Sequence, residues 1–277
     1  MNNCLNSVEE LRNVINGVHD IAFVPTMGNL HKGHLTLVEK AQSLSKNVVV
    51  SIFINPEQFN SKQDFNRYPK TLANDKFLLK KTCPKCWVYT PNDSILSYKS
   101  PPSYLLPNLS NDLCGKYRPG HFEGVIKIID ILFSLINPRY AIFGKKDYQQ
   151  LILIKDFSTK NYPKINIIEE QTIRESNALA LSSRNNLLNI KDKKKANQLY
   201  LALNELIKMI KLDTNHQNSI KKITDTLTKS GWDVEYISIR RQKDLQLPLS
   251  STKHLVALAA ANLNGIRLID NIEFCID

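Results

Sequence analysis

The 277-residue chain has no apolar run approaching the roughly 20 residues that a membrane-spanning helix requires. Its start, MNNCLNSVEELRNVING, carries charges and polar side chains where a secretory signal needs an apolar stretch. Cysteine is scarce and odd in number, with five residues at positions 4, 83, 86, 114 and 275, so a disulfide framework is excluded. The CPKC pair at 83–86 lacks a zinc set, because only the distant Cys114 and His121 remain as candidate ligands. A redox pair would open a helix after a strand, whereas Trp87, Val88 and Tyr89 follow this one as a strand. Internal repeats and low-complexity segments are missing as well. These absences lead to the expectation of a soluble cytoplasmic protein with no membrane partner.

What is present is enough apolar residue, 42%, for a sizeable core, as one large domain or a large one and a small one. The formal charge of +11 is carried mostly by scattered lysines. The densest run, KDKKKANQ at 191–198, reads as a solvated helix start. A basic balance suits nucleic acid, but it also suits small anionic substrates.

Strands and helices alternate through the first part. IAFVP at 21–25, NVVVSIFI at 47–54, CWVYT at 86–90, YAIFG at 140–144 and INIIE at 165–169 read as strands. The β-branched run at 47–54 fits a parallel strand covered on both faces. Apolar residues at 35, 38, 41 and 44 mark a helix over 34–45, and further helices are expected at 69–82, 123–136 and 147–159. SPPSYLLPN at 100–108 reads as a proline-rich loop. After about residue 175 the pattern changes to helices at 191–211 and 216–230, then strands at 233–239, 254–261 and 266–274. Asn264-Gly265 marks a hairpin. The expected architecture is α/β: a Rossmann-like parallel sheet domain over 1–175 and a smaller C-terminal α+β domain over 176–277.

Four polar clusters follow predicted strands: PTMGNLHKGH, NPEQF, GKKDYQQ and QTIRES. Ligands of open α/β sheets bind outside the carboxyl ends of the strands, so four clusters on one edge suggest one site. In the first, Gly28 allows a tight turn and close approach of the backbone to a ligand, and Gly33 does the same near the helix start. The opening N–H groups of that helix suit a phosphate. His31 and His34, three residues apart, share a face there. The cluster is neither a Walker loop nor a G-x-G-x-x-G fingerprint.

H-x-G-H after a first strand resembles the signature of the nucleotidyltransferase superfamily, which includes class I aminoacyl-tRNA synthetases. PTMGNLHKGH, SIFINPEQF, YRPGHFEGV, FGKKDYQQL and ALSSRN occur in that order, and LVALAAANLNGIRLIDNI follows near the end. Together they closely resemble the pantothenate synthetase, or pantoate–β-alanine ligase, family over nearly the whole chain. The resemblance implies a Rossmann-like ATP-binding domain, a smaller C-terminal domain and a homodimer. It implies ATP, with Mg2+, and the substrates (R)-pantoate and β-alanine. The carboxylate would attack the α-phosphorus of ATP to give pantoyl adenylate and pyrophosphate, and the amine would then displace AMP. Such a reaction asks the protein for positioning and charge stabilisation rather than for a covalent nucleophile.

The site residues follow from the same resemblance. Met27, Gly28, Asn29, Leu30, His31, Lys32, Gly33 and His34 match an ATP-binding stretch, with His34 at the position assigned as proton donor and His31 beside it offsetting phosphate charge. Gly144, Lys145, Lys146 and Asp147 match a second ATP segment, with Lys146 on phosphate and Asp147 on the ribose. Lys145 stands where many members have Glu, which reads as an exposed variation. Ile173 matches a backbone contact to adenine. Leu181, Ser182, Ser183 and Arg184 match a third ATP segment, where Arg184 grips phosphate through two nitrogens. Gln58 and Gln150 match pantoate-binding glutamines, Gln58 also being implicated on the β-alanine side, and Asn55 would orient nearby groups. Taken alone, either glutamine could instead cap a loop. Arg118 and His121 either reach the substrate or support their loop. Asp75 is a candidate outer-shell magnesium partner, and with no compact carboxylate cluster visible the metal would be held largely by ATP and water.

Two alternatives remain at this level. One is another member of the same superfamily that keeps the nucleotide on its product. A tRNA synthetase would need an aromatic-rich basic strip, and the last 100 or so residues lack one. The other is a nucleic-acid-binding protein, which the charge permits but which leaves the clustering at strand ends unexplained.

Overall fold

The computed structural model describes residues 3–98, 104–212 and 216–276, so residues 100–103 of the expected loop at 100–108 lie outside the described residues. The chain divides into two compact units, Met1–Lys145 with Leu153–Gln171, and Lys146–Ile152 with Thr172–Asp277. A single cut at 175 does not describe this division, because Lys146–Ile152 sides with the C-terminal unit.

In chain order, the first unit contains β1 (Cys4–Leu5), α1 (Val8–Ile15), β2 (Ile21–Thr26), α2 (Lys32–Leu44), β3 (Asn47–Ile52), α3 (Lys62–Arg67), α4 (Leu72–Thr82) and β4 (Trp87–Tyr89). After these come α5 (Cys114–Tyr117), α6 (His121–Ile136) and β5 (Tyr140–Gly144), then α7 (Tyr148–Asn161), whose first residues belong to the second unit, and β6 (Asn166–Glu170). The six strands form one sheet in the order β1-β4-β3-β2-β5-β6, and every pairing is parallel. From β2 the chain winds to β3 and β4 on one side, then returns to place β5 and β6 on the other. The order therefore reverses beside β2, and the carboxyl end of β2 lies at the switch point where such sheets bind ligands.

Both faces of β2 are covered, as its continuous apolar sequence predicts. Ala22 and Val24 pack with Val48, Val50 and Val88 against Val38 and Ala41 of α2 and Leu79 of α4. Phe23 meets Phe133 of α6 edge to face at 6.4 Å between ring centroids. Helix α6 buries most of its circumference, leaving only the Glu123, Lys127 and Ser134 edge toward solvent, and it ends at Asn137 in the left-handed conformation just before Pro138.

In the second unit α8 (Ile190–Lys195), α9 (Gln198–Leu212) and α10 (His216–Lys229) precede β7 (Asp233–Arg241), β8 (His254–Leu263) and β9 (Ile266–Cys275). The single helix expected over 191–211 is in fact two. The apolar stripe of α9, Leu199, Leu203, Leu206 and Ile210, does not extend into the lysine-rich α8, so the chain turns after Lys195 to bury Ala196. The three strands are antiparallel. Leu255, Ala257, Ala259, Ala261 and Leu263 alternate along β8 into the core with α9 and α10. The Asn264-Gly265 turn has φ of 50° and 79°, both positive as a type I′ hairpin requires.

Candidate active site

The loop leaving β2 is built by inward hydrogen bonds. The Thr26 hydroxyl donates to the Ser51 carbonyl at 2.8 Å and accepts the Gly28 N–H at 3.2 Å. Gly28 has φ of 78°, and a Cβ there would stand 3.0 Å from Asp75 Oδ2 and 3.1 Å from Ile52 Cγ2. Glycine is required both by the conformation and by that approach. Asn29 is left-handed too, at φ 49°. Its N–H donates to Asp75 Oδ2 at 3.0 Å, and the Leu30 N–H donates to Asp75 Oδ1 at 2.8 Å.

Helix α2 then begins with His31 at its N-cap. The His31 carbonyl accepts from His34 N–H at 2.8 Å and from Leu35 N–H at 3.1 Å, which starts the helix. The His31 N–H in turn donates to His34 Nδ1 at 3.3 Å. An imidazole that accepts at Nδ1 carries its proton on Nε2, so His34 is oriented as an Nε2–H donor. The two rings lie 4.1 Å apart between centroids. No acidic side chain occupies the first turn of α2, so the positive end of its dipole is not offset from within the helix.

Beside this loop in the first unit stands the NPEQF segment. Asn55, 1% exposed, caps the short 3-10 turn Pro56–Gln58 by accepting the Glu57 N–H at 3.1 Å. Its amide nitrogen donates to the Gly124 carbonyl at 2.9 Å and to Gln58 Oε1 at 3.2 Å. The Gln58 amide nitrogen in turn contacts the Met27 sulfur, linking the two strand-end clusters. His121 Nδ1 donates to the Gln58 carbonyl at 2.8 Å, Arg118 Nη2 donates to the same carbonyl at 3.1 Å, and Arg118 Nη1 donates to His121 Nε2 at 3.0 Å. Arg118 and His121 thus hold the backbone of Gln58 in place.

The second unit holds the other segments. The Asn271 side chain donates to the Lys146 carbonyl at 2.9 Å, and the Lys146 ammonium lies 3.5 Å from Asp147 Oδ1. The Tyr148 hydroxyl donates to Glu273 Oε1 at 2.9 Å, fastening the start of α7 to β9. Ile173 and Leu181 face each other across a small loop, with the Leu181 N–H donating to the Ile173 carbonyl at 2.9 Å. Ser182 caps the 3-10 turn Ser183–Leu187 through the Arg184 N–H, and Ser183 is buried. Beside Ile173, Arg174 pairs bidentately with Asp270 at 2.7 and 2.8 Å, donates to the Asn271 carbonyl at 3.3 Å, and lies 4.0 Å over the Tyr200 ring. The Lys146 and Ile173 segments are therefore both tied to Asp270-Asn271 of β9. Arg174 lies in the QTIRES cluster and Asp270-Asn271 in the family-like segment ending at Ile272, but nothing in the sequence pairs the two. Gln150 lies half-buried in the first turns of α7.

Two sequence expectations change. Lys145 is not an exposed variation: its side chain is 13% exposed and its ammonium lies 3.4 Å from Glu169. Burial acts to raise the Glu169 carboxyl, but Lys155 and Lys145 outweigh it and hold that group below the ordinary range. Asp75, considered as a magnesium partner, is 1% exposed with both oxygens engaged by the loop and by the Thr71 hydroxyl at 3.1 and 3.2 Å. The CPKC pair packs into the apolar core with Leu79 and Val88, both cysteines 3% exposed. The Cys86 thiol, hydrogen-bonded to Cys83 and buried, is pushed above its ordinary range, and the same bond lowers Cys83.

A parallel sheet whose switch point opens onto an H-x-G-H helix start defines a nucleotide-handling α/β protein. The chain belongs to the pantoate–beta-alanine ligase family, whose profile matches residues 3–273. It is 41% identical over 272 residues to the pantothenate synthetase of Neisseria meningitidis serogroup C, covering 97% of this chain and 98% of that one. It is 42% identical over 257 residues to that of Shewanella loihica, covering 92% and 91%. The pantothenate synthetase crystal structure from Thermus thermophilus superposes with a TM-score of 0.90 at 32% identity, covering 97% of this chain and 98% of that one. The Francisella tularensis pantoate–beta-alanine ligase, solved in complex with beta-gamma ATP and beta-alanine, gives 0.76 at 29% identity, covering 97% and 96%.

Proposed function

We propose that this chain condenses (R)-pantoate with β-alanine at the expense of ATP, through pantoyl adenylate. In the first step a pantoate carboxylate oxygen bonds to the α-phosphorus as its bond to pyrophosphate breaks. In the second the β-alanine nitrogen, having shed a proton, bonds to the acyl carbon as AMP leaves. Adenylation supplies the leaving group, so the protein is asked for alignment and for donors aimed at growing phosphate charge. On this reading Met27, Gly28, Asn29, Leu30, Lys32 and Gly33 receive the nucleotide, and His31 and His34 donate to the departing phosphates. Gly144, Lys145, Lys146, Asp147, Ile173, Leu181, Ser182, Ser183 and Arg184 complete the nucleotide contacts, with Lys146 and Arg184 neutralising phosphate. Gln58 and Gln150 hold pantoate, with Asn55 and Arg118 steadying Gln58.

The observation that best supports this reading is His34 in the first turn of a helix without its own acid, where an anion is favoured and where acceptance of the His31 N–H at Nδ1 leaves Nε2 as the ring's donor. Magnesium arrives on the nucleotide. Among the described residues no group of three or more His, Cys, Asp or Glu side chains is arranged to hold a metal, and Mg2+ is commonly held by few carboxylates, substrate phosphates and water. The metal supplies charge neutralisation on the triphosphate. The working form is a cytoplasmic homodimer. Among the described residues no helix is long and apolar enough to cross a membrane.

The test is AMP release with pantoate, ATP and β-alanine, omitting each in turn, alongside exchange of labelled pyrophosphate into ATP. Exchange that needs pantoate, and AMP release that also needs β-alanine, are the expected results. A product that retains the nucleotide would instead establish a nucleotidyltransferase of the same superfamily.

A further inference from the structure

We propose that Asp75 is a positioning residue for the nucleotide, acting through the backbone of residues 28–31 and not through a metal. The proposal rests on the reading of residues 27–34 as the ATP-binding stretch. Asp75 sits in the first turn of α4, 1% exposed, in the core of the first unit. A carboxylate so buried is tolerated only when its lone pairs are served, and here the N–H groups of Asn29 and Leu30 and the Thr71 hydroxyl serve them.

The clamp holds an otherwise unfavourable backbone. Gly28 and Asn29 are consecutive left-handed residues, a conformation that a non-glycine residue adopts rarely and that needs support from outside the loop. Four successive N–H groups point inward: Gly28 to Thr26, Asn29 and Leu30 to Asp75, and His31 to His34. The first amides beyond them belong to Lys32 and Gly33, the opening residues of α2, which have no acceptor within the helix. Asp75 therefore decides where the loop ends and where the helix presents amides and imidazoles to phosphate. Only a carboxylate offers two acceptors to two adjacent N–H groups. An amide would turn an NH2 donor against one of them.

The experiment compares the full-length wild type with Asp75→Asn and, as a milder variant that keeps the carboxylate, Thr71→Val. Three quantities are read: steady-state AMP release, the free Mg2+ giving half-maximal rate, and binding of a non-hydrolysable ATP analogue in EDTA. For Asp75→Asn, KM for ATP rises and kcat falls, each by about tenfold, as expected for one lost charged hydrogen bond. Analogue binding weakens even without metal, while KM for pantoate and the Mg2+ requirement stay within about twofold of wild type. Thr71→Val moves in the same direction by about two- to threefold, and it decides the matter if Asp75→Asn does not fold. A raised Mg2+ requirement with metal-free analogue binding intact would make Asp75 a metal partner and overturn the proposal, as would wild-type kinetics in both variants. If the wild type itself released no AMP, the ligase reading would fail instead, and the analogue-binding comparison would still judge the clamp.

Discussion

Gly124 is the residue at which helix α6 touches the backbone of the Pro56–Gln58 turn, and its replacement by alanine separates two opposed effects. In an ordinary helix interior, alanine is favoured over glycine by about 1 kcal/mol. Here the added Cβ would lie 2.5 Å from the Glu57 carbonyl oxygen, 2.6 Å from its carbon and 2.8 Å from the Gln58 nitrogen. All three are backbone atoms, which cannot rotate aside, so α6 or the Pro56–Gln58 turn must move. Overpacking of this kind costs about 1–3 kcal/mol. The movement also pulls the Gly124 carbonyl from the buried Asn55 amide, at about 1–3 kcal/mol for a buried group left unpaired. The clash outweighs the helix preference, leaving a net loss of about 1–5 kcal/mol. Thermal denaturation of Gly124→Ala should show a midpoint lower by roughly 3–15 °C. Because Asn55 also fixes the Gln58 side chain, KM for pantoate should rise about fivefold or more while KM for ATP moves less. A variant melting at or above the wild type would mean that the backbone approach does not constrain the helix. A variant that is destabilised yet unchanged in KM for pantoate would refute the link from α6 to Gln58.

His34→Ala should slow adenylation on the order of 100- to 1000-fold while leaving pantoate affinity nearly unchanged, since on the proposed reading it removes a donor to the departing phosphate. Near-wild-type single-turnover formation of the adenylate would contradict this. Replacing Cys83 and Cys86 together with alanine should leave turnover nearly intact and lower the melting midpoint by a few degrees, because both thiols only fill apolar space beneath α4; zinc-dependent loss of activity would show otherwise. Burial pushes Tyr89 up to about 12, with Tyr98 adding to the shift, and burial together with hydrogen bonds to Asp156 and Asp130 raises Tyr104 and Tyr162. In each case the folded pKa exceeds the unfolded one, so the unfolded chain releases its proton first. Stability is full below about pH 10 and declines as pH rises from there, with Tyr89 contributing up to about 1 kcal/mol per pH unit. Urea titrations between about pH 9 and 11.5 check this. The buried Tyr89 hydroxyl has no hydrogen-bond partner among the described residues, so Tyr89→Phe should unfold no more easily at neutral pH and show a shallower alkaline decline, and an unchanged decline would assign the effect elsewhere.

The parts of this molecule legible from sequence are those whose cause is local. Apolar runs announce β2 and β3, the Asn264-Gly265 pair announces its hairpin, and H-x-G-H announces the helix that His31 caps. Ser7 and Glu10 form a capping box that is there to be read before α1, since the Ser7 hydroxyl accepts the Glu10 N–H. β1, by contrast, is two residues long and exists as a strand only because β4 lies alongside it. The supports of the candidate site share that long-range origin. Asp75 reaches back 46 residues to Asn29, Arg174 reaches forward 96 to Asp270, and Lys146 takes its hydrogen bond from Asn271 across 125. No window of periodicity or spacing contains both members of such a pair. Side chains that would meet a ligand therefore surface as motifs, while what the groups behind them support, such as Gln58 for His121 or the Gly28–Leu30 loop for Asp75, is set only when the fold brings them together. That asymmetry explains why sequence alone leaves Arg118 and His121 open between substrate contact and loop support, and offers Asp75 as an outer-shell metal partner. Polar residues close to a motif invite a ligand contact, yet each of these three bonds to the backbone of a motif segment: Asp75 to Asn29 and Leu30, Arg118 and His121 to Gln58.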